Sequence, residues 1–129
     1  MENEFIPYTE SLALKELGFD EPCFGYYFNH SEENFKEGKF DYRGELNIEY
    51  SIYKENTYYI LAPTFSQAFR WFREKYDWTI KVNKIVKDTW SFTLENFTLE
   101  RELFGGRFSL YEEAEQACLD KLIEIVKNK

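Results

Sequence analysis

In 129 residues there is one histidine, His30, and there are two cysteines, Cys23 and Cys118. His30 stands in NHSEEN beside Ser31, Glu32 and Glu33. A metal site could be drawn from those groups, but a closed site needs several converging ligands, so a solvated loop histidine is the preferred reading. A Cys-His nucleophile would have to join Cys23 or Cys118 to His30. Both cysteines sit in apolar patterns, CFGYYF and EAEQACLDKLIEIV, which suit buried free thiols better than a nucleophile or a disulfide. Carboxylates are plentiful, yet no pair is marked by the apolar setting that would split their pKa values. Gly105-Gly106 lacks the further glycines and the lysine of a phosphate loop, and Gly-x-Gly-x-x-Gly does not occur. No catalytic constellation, metal site or cofactor is therefore expected.

Recognition has more material. The chain holds 3 Trp, 10 Tyr and 13 Phe, a load that one core of this size struggles to enclose, so some rings must lie at the surface. Charge is unevenly placed. Residues 1–62 hold 13 Asp+Glu and 5 Lys+Arg, giving −8, while residues 63–129 hold 11 of each, giving zero. Within 70–87, Arg70, Arg73, Lys75, Lys81, Lys84 and Lys87 face only Glu74 and Asp77 before the turn at Asp88. The sequence predicts a bipolar molecule that works by binding a protein partner, with Glu32, Glu33 and Glu37 steering a basic surface and Arg70, Trp71 and Arg73 as further contact residues. The same basic stretch interleaves Trp71, Tyr76 and Trp78, so a single-stranded nucleic-acid binder is the alternative, disfavoured by the net charge of −8. Trp71 also reads as cover for a sheet edge, and that reading is preferred. A homo-oligomer sealed through an unpaired sheet edge stays open. No apolar run approaches a membrane span and MENEFIPYTE is acidic, so no membrane association and a cytoplasmic setting are expected.

The elements that must position these residues follow from caps and periodicity. Thr9 can cap a short helix through Leu17, with Gly18 left-handed after the last turn and Phe19 placed to meet Leu14. Cys23–Phe28 reads as an aromatic strand in which Gly25 either weakens the pairing or lets a neighbour approach closely. Residues 29–44 read as an irregular polar insertion. Leu46, Ile48, Tyr50 and Ile52 alternate with polar residues as one strand, and 57–62 forms a second, joined to it as a hairpin. Thr64 and Gln67 fit a capping box, after which Phe65, Ala68, Phe69, Phe72 and Tyr76 make an apolar stripe. Strands follow at 78–83 and 90–95, joined near Lys87-Asp88, with 97–104 a weaker extension that Gly105-Gly106 ends. Ser109 and Glu112 fit a second capping box that opens the last helix, with Tyr111, Ala114, Cys118, Leu122 and Ile125 on one face. The order predicts one α+β domain, a mainly antiparallel sheet of about four to six strands with about three helices packed on it.

Three segments, LKELGFDEPCFGYY, APTFSQAFRWFREKYDWTI and YEEAEQACLDKLIEI, taken in this order, cover nearly half the chain. They resemble an uncharacterised family of small proteins of bacteriophages and prophages of gut bacteria. The Pro-Thr-x-x-Gln-Ala-x-x-Trp-Phe-Arg-Glu element at 63–74 is the most specific part. The resemblance implies a mobile-element setting and supplies no mechanism, and it leaves out residues 29–59.

Overall fold

The computed structural model describes residues 4–29, 39–42 and 58–128. The architecture is α+β, with three helices and six strands among those residues. In chain order they are α1 (Tyr8–Glu16), β1 (Gly25–Asn29), β2 (Lys39–Tyr42), β3 (Tyr58–Ala62), α2 (Phe65–Tyr76), β4 (Thr79–Val86), β5 (Thr89–Asn96), β6 (Arg101–Phe108) and α3 (Tyr111–Lys127). The antiparallel strands form two three-stranded sheets where the sequence suggested one, ordered β2-β1-β3 and β4-β5-β6. The chain divides into two compact units, residues 1–66 and 67–129.

In the first unit β1 is central, pairing Tyr27 with Phe40 of β2 and with Ile60 of β3. Lys39–Tyr42 falls inside the stretch expected to be irregular. It is a strand because its short alternation, Lys-Phe-Asp-Tyr, finds β1 as a ladder partner. The expected strand at 46–52 and its hairpin turn lie outside the described residues. Neighbouring residues of a strand point to opposite faces, yet Tyr26 and Tyr27 are both buried, so β1 is covered on both sides. Tyr8 meets the Tyr27 ring edge-on at 5.6 Å, and the Tyr27 hydroxyl donates to the carbonyl of Ile6 at 2.9 Å. Gly25 is the close-approach kind of glycine, since a Cβ there would stand 2.7 Å from the Phe5 ring and 3.0 Å from the Ala62 carbonyl oxygen.

Helix α1 ends as its sequence implies. Gly18 has φ 100°, its N–H donates to Lys15 and that of Phe19 to Leu14, the two bonds of a Schellman end. Its start differs from expectation: Pro7 occupies the cap position with no side-chain hydrogen bond, and Thr9 lies inside the first turn. Proline's fixed φ and missing N–H suit the head of a helix, where amides have no partner in any case, so the helix opens two residues early.

The second unit is a meander, with β5 bonded to β4 through Ile80–Leu94 and Val82–Phe92 and to β6 through Leu94–Leu103. Phe92, Leu94 and Asn96 are buried and alternate with half-buried Ser91, Thr93 and Glu95, giving β5 one apolar face. Helix α3 packs on this sheet, and Ala114, Cys118, Leu119, Leu122, Ile123 and Val126 are its buried residues. The stripe is therefore rotated from the expected one, for Tyr111 is exposed and Ile125 half-buried, while Leu119 and Ile123 are inside. Gly105-Gly106 does not end the sheet but lies within β6. A Cβ on Gly105 would overlap the Phe92 ring, so glycine is what allows that buried ring to lie across the strand. Asn96 ties two corners together. Its amide donates to the Tyr76 carbonyl at the end of α2 (2.9 Å), and its oxygen accepts from the Leu99 N–H (3.0 Å). The Thr98 hydroxyl adds a bond to the Asp77 carboxylate at 2.6 Å.

Candidate protein-binding surface

Helix α2 starts directly after Thr64, as its cap sequence implies, and presents Arg70, Arg73 and Lys75 to solvent. Trp71 is only 6% exposed, which removes it from the surface assigned to it with Arg70 and Arg73. Its ring packs edge-on against Phe72 and Tyr76 at 5.1 and 5.5 Å, and the Lys75 ammonium lies 4.9 Å from its centroid. Trp78 is also fully buried. Glu32, Glu33 and Glu37 lie outside the described residues, as does His30. The cationic half of the basic-aromatic stretch is thus exposed and its tryptophans are not.

Apolar surface is found elsewhere in the second unit. Ile85, Val86, Phe97, Leu99, Phe104, Leu110 and Tyr111 are the exposed large apolar residues among those described, and all fall between positions 85 and 111. Phe97 is 77% exposed and Phe104 75%. Phe104 is opposite Thr93, on the side of the sheet away from Leu94 and Leu103. Phe97 and Leu99 ride the turn between β5 and β6, beside an open depression of about 580 Å³ lined by Glu95, Asn96, Phe97, Glu100, Arg101 and Glu102. That lining has carboxylates and a guanidinium but no nucleophile-base pair. At the other end of the sheet, Ile85 and Val86 lead into the Lys87-Asp88 turn, and Trp90 meets Tyr111 edge-on at 5.2 Å with the Lys84 ammonium 5.8 Å from its ring.

These apolar positions left a trace in the sequence that alternation alone does not interpret. Leu103-Phe104 is an adjacent apolar pair inside a period-two strand, so one member must leave the buried face, while Ile85-Val86 lies at the register shift that ends β4, where both are exposed. Phe97 and Leu99 belong to a turn, where no face exists to bury them.

The titratable groups supply no reactive centre among the described residues. Burial and the nearby Glu115 push the Cys118 thiol up to about 12, which leaves it protonated and inert at neutral pH. Cys23 is buried, and its thiol points to the Glu21 carbonyl oxygen at 3.3 Å. Burial raises the Tyr111 hydroxyl and the Glu115 carboxyl above their usual ranges, and the hydroxyl donates to that carboxylate at 3.2 Å. No cluster of three or more His, Cys, Asp and Glu residues able to hold a metal ion occurs among the described residues, and none of their helices is long and apolar enough to cross a membrane. The chain matches no protein-family model, no curated protein and no solved structure.

Proposed function

We propose that this protein acts by binding a protein partner, in the phage- or prophage-bearing cell that its sequence resemblance implies. The observation that carries the reading is the concentration of exposed Phe, Leu, Ile, Val and Tyr between residues 85 and 111, since large apolar side chains left exposed among charged neighbours suit protein association. Large rings such as Phe97 and Phe104 are the anchor type, and the charges around them supply orientation and association rate. The acidic first unit adds a steering field toward a basic surface, with Glu32, Glu33 and Glu37 as its carriers. Single-stranded nucleic acid is the weaker reading, because Trp71 and Trp78, the rings that would stack on bases, are buried.

Affinity capture from a host-cell extract tests this, comparing the wild-type chain with a Phe97→Ser, Phe104→Ser, Leu110→Ser variant. All three side chains are exposed, so the variant should stay folded, with a urea midpoint no lower than that of the wild type. A defined protein retained by the wild type and released by the variant is the expected result. Nucleic acid retained equally by both, with no such protein, would overturn it.

A further inference from the structure

The second sheet has two outer strands, and β4 is the better presented of them. Thr79–Lys84 pairs regularly with β5 on one side, and the register shift is confined to the far end, between Lys84 and Val86. Strand β6 carries two glycines and a register shift within its second half, which spoils its outer edge as a template. Nothing described bonds to the outer edge of β4, so its outward N–H and C=O groups stand ready for a further strand.

Side chains along β4 say what that strand would be. Lys81 and Lys84 are exposed within it, Lys87 follows in the turn, and Thr79–Val86 holds no carboxylate. Lysines on an edge are a common guard against pairing with other chains. A guard, however, leaves no apolar anchor beside it, and here Ile85 is 49% exposed and Val86 59%. Two copies of β4 brought together would oppose lysines with no carboxylate in either strand to answer them, so a second copy of this edge is a poor occupant. Single-stranded nucleic acid would satisfy the lysines and leave the backbone ladder and the apolar pair unused.

We propose that the outer edge of β4 takes an extended acidic segment of a protein partner as an added strand, its backbone completing the ladder. Carboxylates would stand opposite Lys81 on one face and Lys84 on the other, and an apolar side chain would meet Ile85 and Val86. Positions three apart in a strand point to opposite faces, so the segment carries its acids on both. The inference rests on the protein-binding reading and names a site for it.

A random library of short displayed peptides, selected against the full chain and counter-selected against a Lys81→Glu, Lys84→Glu variant, tests the site. Selected peptides should be acidic with alternating β-branched residues, should bind the variant roughly tenfold more weakly or worse, and should lose binding when alternate backbone amides are N-methylated. No enrichment, or peptides without acidic bias that ignore both the charge reversal and the methylation, would overturn the edge site. Peptides lost instead on Phe104→Ser would overturn it while leaving the protein-binding reading intact. Binding of an oligothymidylate that disappears in the charge-reversal variant, or a wild-type dimer in sedimentation that the variant lacks, would equally reassign the edge.

Discussion

In residues 1–66 the described large apolar side chains are buried or half-buried, from Phe5 and Ile6 through Phe19 to Leu61, and the same residues carry the whole net charge of −8. In residues 67–129 the charges balance, and every exposed large apolar residue among those described is found there. A charged exterior over closed apolar packing keeps a unit apart from its neighbours, whereas balanced charge around open apolar surface favours association. Under the proposed protein-binding reading, the contrast among the described residues gives contact to the second unit and steering to the first. It can be probed cleanly because all three tryptophans (71, 78 and 90) lie in the second unit and eight of the ten tyrosines in the first.

The sharpest way to break the comparison is to disturb one glycine in each unit. Gly105→Ala drives a methyl into the Phe92 ring, which is buried and lies nearly parallel to Phe108, so the ring has little room to turn away. A loss of about 1–3 kcal/mol is expected, read as a lower urea midpoint of tryptophan fluorescence. Gly25→Ala presses on Phe5 and on the fixed Ala62 carbonyl, and should lower the midpoint of the tyrosine signal by a comparable amount. A tryptophan midpoint untouched by Gly105→Ala would mean that Phe92 swings aside, and that the second sheet is looser than its packing implies.

Much of this arrangement is legible in the sequence. Gly18 with Phe19, the Lys87-Asp88 turn and the start of α2 after Thr64 all stand where local chemistry puts them, because each is decided within a few residues. The division of strands between two sheets is not local. Periodicity says that a strand has a buried face without saying which strand lies beside it. Trp71, for which cover of apolar structure is the preferred reading over contact, is buried, but the partners that enclose it are not set by helix periodicity. It lies off the Phe65-Ala68-Phe72 stripe, and it packs against Phe72 and Tyr76 with the Lys75 ammonium over its ring. The candidate surface was legible as an excess of aromatics, and its location was not.

A smaller effect separates helix starts that look alike in sequence. Ser109-x-x-Glu112 has the form of a capping box, yet α3 begins at Tyr111 with Leu110 in the cap position and no side-chain hydrogen bond there. Sheet pairing explains the displacement: Phe108 still pairs with Trp90, which holds the chain extended until Ser109 and delays the helix. Leu110→Ser should therefore stabilise the second unit by about 1 kcal/mol, and Ser109→Ala should leave it unchanged. A midpoint that falls in Ser109→Ala would place the cap at 109 after all. Because Leu110 is exposed, the same variant also asks whether its side chain serves binding, since stability and affinity should then move in opposite directions.

The finest test uses protons on α3. Burial raises the carboxyls of Glu115 and Asp120 above the usual range; Glu112 adds to the rise at Glu115, while bonds from Tyr111 and Gln116 oppose it at Glu115 and Asp120 respectively. A carboxyl whose folded pKa is raised costs stability while it is ionised, and the native state takes up its proton before the unfolded chain does. Stability contributed by these groups therefore rises as pH falls through their folded pKa values, toward the ordinary carboxylate range near 4, and falls as pH climbs back. Glu115 is half-buried and Asp120 exposed, so the change is small. Comparing tryptophan midpoints at about pH 7 and about pH 5, the wild type should gain more, or lose less, on acidification than a Glu115→Gln, Asp120→Asn variant. Equal responses would show that the Glu115 and Asp120 carboxyls are as open to water as the exposed residues that precede the helix, extending the solvated polar face of the second unit along α3.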